Sequence, residues 1–207
     1  MRACLARTAA GLALCATAGV LFPAYAQAGG AGPGPAPTSP AAQIAGALEA
    51  APEPLRANAT VLGWRDGKTY VMQKGTSDIL CVADQPGDAR FQVACYHQSL
   101  EPFMARGREL RAEKRTHPQI DSLRLADIQA KKWSMPTAPT TLYNLAAPAD
   151  SVDATTGLPR GANRWYVVYI PGATEASSGL SIKPDGTGRP WLMYPGMPWA
   201  HIMITPK

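Results

Sequence analysis

The chain has 207 residues, 46% hydrophobic and 17% charged, with four cysteines and a formal net charge of +5 at pH 7. That hydrophobic share supports a buried core and excludes an intrinsically disordered chain. So small a charge excludes binding driven by electrostatics alone, which leaves nucleic acid off the list of expected partners, and four cysteines are too few for a disulfide-dense scaffold.

Arg2 and Arg7 precede an apolar run over residues 9–22, closed by Pro23 and the small-x-small triplet Ala24, Tyr25 and Ala26. This is the pattern of a secretory signal peptide over residues 1–26. The run is shorter than the roughly 20 apolar residues of a membrane span and contains Gly11 and Gly19, so cleavage after Ala26 is expected to leave no stable membrane span. Cys15 does not mark a lipoprotein, because the residue before it, Leu14, is large. A free periplasmic or secreted protein follows. Export removes Cys4 and Cys15 and leaves Cys81 and Cys95, which an oxidising compartment would pair. Residues 27–40, dense in Gly and Pro, read as a flexible linker. Residues 41–207 read as a single α+β domain.

Along that domain, Ser39-Pro40 opens a short helix over residues 41–51 that carries Ile44, Ala47 and Leu48 on one face and stops at Pro52 and Pro54. Residues 60–64, 69–73, 79–83 and 91–96 are short β-branched and aromatic runs separated by turn residues, which predicts an antiparallel meander. The midpoint of Cys81 and Cys95 falls on Asp88, beside the turn Gln85-Pro86-Gly87-Asp88, so a hairpin there sets the two cysteines opposite each other. From Ser99 the period changes: Leu100, Phe103, Met104, Gly107 and Leu110 predict an amphipathic helix. Residues 118–132 predict a second, with Ile120, Leu123, Ala126 and Ile128 on its stripe and Lys131 and Lys132 at its end. Residues 140–145, 164–170, 191–194 and 199–205 return to strand patterns. In 164–170 both alternating sets are apolar, which predicts burial on both faces. Tyr194-Pro195-Gly196-Met197-Pro198 would turn the last two strands into a hairpin, and residues 147–163 and 171–190 form long loops of the kind that often bind. The expected architecture is an antiparallel sheet with the central helix pair packed on one side.

The succession Leu80-Cys81-Val82, Ala94-Cys95-Tyr96, the helix carrying Glu109-Leu110-Arg111-Ala112-Glu113, Val168-Tyr169-Ile170-Pro171 and Tyr194-Pro195-Gly196-Met197-Pro198 resembles a group of uncharacterised exported bacterial proteins with a two-cysteine hairpin. The resemblance implies one compact domain and carries no activity.

The chain contains no G-x-S-x-G, H-E-x-x-H, S-x-x-K or phosphate-loop signature, and no catalytic residue is assigned. Ser177 and Ser178, before Gly179, read as loop residues. Two isolated cysteines and three histidines give no structural zinc pattern, so no metal and no cofactor is expected. His201 shares a strand face with Trp199 and Met203, and reads either as a binding residue or general base, or as a core histidine satisfied by a backbone carbonyl. Trp199, Trp191 and Tyr194 are aromatic candidates for a small-molecule or glycan platform; Trp191 and Trp199, next to prolines, are expected to be exposed, and Trp165 to be core. His97, at the end of the cysteine hairpin, is a further candidate. Arg106, Arg108, Arg111, Lys114 and Arg115, interleaved with glutamates, read as a solvated helix face or as an anion-binding surface. The functional expectation is a non-enzymatic exported module that binds a small molecule, glycan or protein. The alternative is an exported hydrolase using His201 or His97 with Glu175 or Asp185.

Overall fold

A helix that ends at paired prolines and a run of short alternating strands assemble here around one eight-stranded sheet. The computed structural model describes residues 37, 39–85, 87 and 89–206. The expected signal peptide, most of the linker, and Pro86 and Asp88 of the expected turn lie outside the described residues. Helix α1 (Pro40–Leu48) starts where Ser39 accepts the backbone N–H of Ala42 at 3.1 Å, with proline in the first turn, and a short helix α2 (Glu53–Arg56) follows. The strands are β1 (Thr60–Arg65), β2 (Lys68–Gln73), β3 (Ile79–Val82) and β4 (Arg90–His97), then β5 (Thr140–Pro148), β6 (Asn163–Tyr169), β7 (Trp191–Met193) and β8 (His201–Ile204). Between the two groups lie α3 (Glu101–Ala112) and α4 (His117–Gln129), and a short helix α5 (Glu175–Ser178) sits before β7. Among the described residues no helix is long and apolar enough to cross a membrane.

The strand order is β2-β1-β3-β4-β5-β6-β8-β7, antiparallel at every step except β1–β3, which is parallel. The expected meander therefore fails at one point: β3 does not pair with β2 but returns to the far side of β1. The connection passes across the start of β1, where Thr76 and Ser77 both donate to the carbonyl of Asn58 at 3.0 Å. Gly75 makes the passage possible. A Cβ there would stand 2.1 Å from the Asn58 carbonyl oxygen and 2.4 Å from the carbonyl carbon of Ala59, so the crossing needs a residue with no side chain. Cys81 and Cys95 are directly opposed on β3 and β4, joined as a disulfide with their Cα atoms 4.0 Å apart.

Alternation along the strands sends apolar side chains to both faces of the sheet. On one face Val61, Cys81, Phe91, Val93, Cys95 and Leu145 pack beneath α1. On the other, Leu62, Val82, Tyr96, Leu142, Val167 and Tyr169 pack against Leu100 and Phe103 at the helix pair. The helix pair covers one side, as the periodicity predicts, and α1 covers the opposite one. Three further expectations need correction. Strand β6 is buried on one face only, through Val167 and Tyr169, while Tyr166 and Val168 on the other are half-buried. In α4 the buried positions are Ile120, Arg124 and Asp127, and Ala126 is exposed. The loop after β5 is not a free surface loop either: Val152 is buried against the α1-side core and bridges to Pro159.

The disulfide closes a loop with a sequence separation of 14. Replacing both cysteines by alanine should lower unfolding stability by about 3 kcal/mol, read as an earlier urea midpoint in equilibrium denaturation.

Candidate functional site

Three of the residues singled out from the sequence do meet. The β7–β8 connection folds back so that Tyr194 lies with its ring 6.2 Å from Trp199 and 5.9 Å from His201, and the His201 ring lies 5.1 Å from that of Tyr169. Phe103 on α3 closes the group from above, 5.9 Å from Trp199 and 5.8 Å from Tyr169. The result is packing rather than a binding surface. Trp199 is 1% exposed and His201 7%, so Trp199 is not the exposed platform expected from its neighbouring prolines: the loop tucks it under α3. His201 Nδ1 lies 2.8 Å from the Trp199 carbonyl oxygen. Burial lowers the imidazole pKa more than that contact raises it, which favours the neutral ring. Of the two readings of His201, the core histidine is the one the geometry matches.

His97 lies elsewhere, at the end of β4, with β5 and β6 between it and β8, roughly 14 Å at ordinary strand spacing. Its Nδ1 sits 2.8 Å from Ser99 Oγ and accepts from the Ser99 backbone N–H at 3.3 Å. The ring proton therefore belongs on Nε2, which is 3.9 Å from an Asp78 carboxylate oxygen and too far for a hydrogen bond. Among the described residues neither carboxylate considered for a hydrolase pairs with a histidine within 4.0 Å. Asp185 accepts from Thr187 and pairs with Arg189 at 2.7 Å, and Glu175 opens α5. Ser177 and Ser178 are cap residues, both bonded to Thr174.

The surface that remains open lies where β6, β8 and β7 leave the cover of the helix pair. Trp191, Met203 and Val167 are directly opposed in register, so they share a face, and Trp165, two residues before Val167, shares it too. All but Val167 are half-buried. The two indoles are thus presented from strands separated by β8, on the order of 10 Å apart. Beside them are two adjoining clefts that share Thr205 and Pro206. One, of about 550 Å³, is lined by Asn163, Arg164, Trp165 and Met203; the other, of about 200 Å³, by Asp185, Arg189 and Trp191. Arg164 is held in place from behind. It donates through both terminal nitrogens to Glu49, once to the backbone carbonyl and once at 3.0 Å to the side chain, at the negative end of the α1 dipole. A third cleft, of about 530 Å³, lies between the β1–β2 turn and α3, but its inner charges satisfy one another: Glu101 accepts from Tyr96 at 2.6 Å and from Arg108 at 2.5 Å.

The chain matches no known protein-family model, no curated protein and no solved structure. Trp191, expected to be exposed, and Trp165, expected to be core, are both half-buried, and the sequence did not single out Asn163 or Arg164 as lining residues. Its available signal was the alternation Trp165, Val167, Tyr169, which puts Trp165 at the open end of a face whose other end is covered.

His201 gives a pH signature. Its folded pKa lies below the ordinary value of 6.5, so below that pH the unfolded chain binds more protons than the folded one, and stability falls as pH drops from about 6.5 towards the folded pKa. Unfolding free energy measured across that window should decline in the native chain, and less steeply in His201→Gln.

Proposed function

We propose that this protein is an exported, non-enzymatic binding module whose ligand is a glycan lying across Trp165 and Trp191. The observation that carries the reading is the pair of half-exposed indoles on one sheet face, flanked by Asn163, Thr205, Asp185 and Arg189. Sugar rings offer apolar C–H faces to indoles and hydroxyls to amides, guanidiniums and carboxylates, so alternating aromatic and polar groups suit them better than they suit a wholly apolar ligand. The signal-peptide pattern and the buried disulfide support an oxidising compartment outside the cytoplasm.

Isothermal titration with polysaccharide fragments of a bacterial envelope tests the reading. Trp165→Ala and Trp191→Ala should each weaken binding tenfold or more, with Trp191→Ala leaving the thermal midpoint within a few degrees of the parent. Titrations that stay flat across the set, or binding untouched by both substitutions, would remove the glycan.

A second reading, an exported hydrolase, has one observation in its favour: Ser99 Oγ donates to His97 Nδ1 while the opposite ring nitrogen faces Asp78. Ester hydrolysis that disappears in Ser99→Ala and in His97→Gln would favour it, and absence of turnover in the parent would end it.

A further inference from the structure

Gly107 sits at the crossing of α3 and α4, and its missing side chain locates two arginines. A Cβ there would be 1.8 Å from Nη2 of Arg124 and 3.4 Å from Nη1 of Arg111. Both nitrogens are close to one point, so they lie within about 5 Å of each other, a separation at which two positive charges repel appreciably.

No opposing charge separates them. Among the described residues no carboxylate comes within 4.0 Å of either guanidinium, although Arg106, Arg108, Arg115 and Arg164 all have one. Asp121 acts on Arg124 only from beyond that range and takes part in a hydrogen bond with Tyr194. Arg124 is 91% buried in solvent-area terms, 9% exposed. Its Nη2 donates to the Phe103 carbonyl at 2.9 Å and its guanidinium carbon stands 3.8 Å over the Phe103 ring, while its Nε is buried with no hydrogen-bond partner among the described residues. A buried charged donor left open, beside a second unpaired cation, is an arrangement proteins rarely keep without a counter-charge. Burial first, and the Arg111 charge next, push the Arg124 pKa down to about 10.

We propose that the α3–α4 crossing at Gly107 binds a phosphate group, held between the guanidiniums of Arg111 and Arg124. Arg124 is fixed from below by Phe103, and Arg111 is exposed, so the anion enters from the Arg111 side. Two forked guanidiniums match the oxygens of a phosphate, and a dianion neutralises both. Both arginines belong to the helix pair and neither lines the indole clefts, so the site stands or falls independently of the glycan.

Inorganic phosphate is the probe, titrated into the oxidised protein against sodium chloride of matched ionic strength while the thermal midpoint is followed. A ligand bound only by the folded state raises that midpoint with concentration. Phosphate should raise it above chloride in a saturable way, and Arg111→Ala, on the exposed side of the pair, should weaken the half-saturating concentration at least tenfold. Arg111→Glu places a carboxylate beside Arg124 and should melt later than Arg111→Ala without phosphate, and no longer respond to it. Equal midpoints in phosphate and chloride, an unchanged response in Arg111→Ala, or an Arg111→Glu variant that melts before Arg111→Ala would each overturn the site. A response that rises linearly without saturation would mean an adventitious ion only.

Discussion

The covalent tie between Cys81 and Cys95 holds the register on which the rest of the sheet is built. Both cysteines are fully buried beneath α1, and a one-residue slip of β4 would turn Phe91 and Val93 to the wrong face. From that register a row of directly opposed residues crosses the sheet: Leu80, Tyr96, Leu142, Val167, Met203 and Trp191. Its middle members lie under the helix pair. Met203 and Trp191, at the far end, reach beyond that cover, so the same alternation that makes the core also makes the indole surface.

Charge fixes how the helix pair docks. Arg108 is buried, and it donates to the Tyr96 hydroxyl at 2.8 Å and to Glu101, which joins α3 to β4. Burial raises the Tyr96 pKa strongly, with the nearby Glu101 adding to the rise and Arg108 opposing it, so the phenol stays protonated and can donate to Glu101. Asp127, almost fully buried, accepts from Arg106 at 2.8 Å and from Lys132 at 2.6 Å, joining α4 to α3 and to its own C-terminal turn. Such pairs add little net stability over apolar residues of the same size, but removing one partner strands the other, which makes them selective for one packing. The arginines of α3, read as a solvated face, are in part the fastening of that helix; Arg111 is the member left unpaired.

The elements were largely legible because their periodicities are clean. The 91–96 alternation, the change to a helical period at Ser99 and the Pro-Gly turn before Trp199 all correspond to observed boundaries or pairings. What escaped was non-local. Nothing in the run Lys74-Gly75-Thr76-Ser77 shows that the chain will step across β1 rather than turn beside β2, since the cause is an approach to Asn58 and Ala59 far from any hairpin rule. Arg124 and Asp127 occupy the inward stripe of α4, where a hydrophobic pattern reads a gap. Trp199 was expected outside because it follows Pro198 near a loop, yet the fold draws it under Phe103. Burial of a loop aromatic depends on what later packs over it, and no local pattern encodes that.

The five tryptophans fall into two groups: Trp165 and Trp191 are the pair we propose as a ligand surface, whereas Trp64 is fixed by its indole N–H to the Ala83 carbonyl at 2.9 Å, Trp133 packs edge-on against Phe103 and Trp199 is core. The most direct test is a ¹⁵N–¹H spectrum of the indole N–H signals recorded during titration with an envelope glycan fragment. The account predicts that the Trp165 and Trp191 signals move together with a common dissociation constant while Trp64, Trp133 and Trp199 stay still. Movement of the Trp199 signal with Trp165 and Trp191 unmoved would place the ligand at the aromatic cluster around His201 and contradict it.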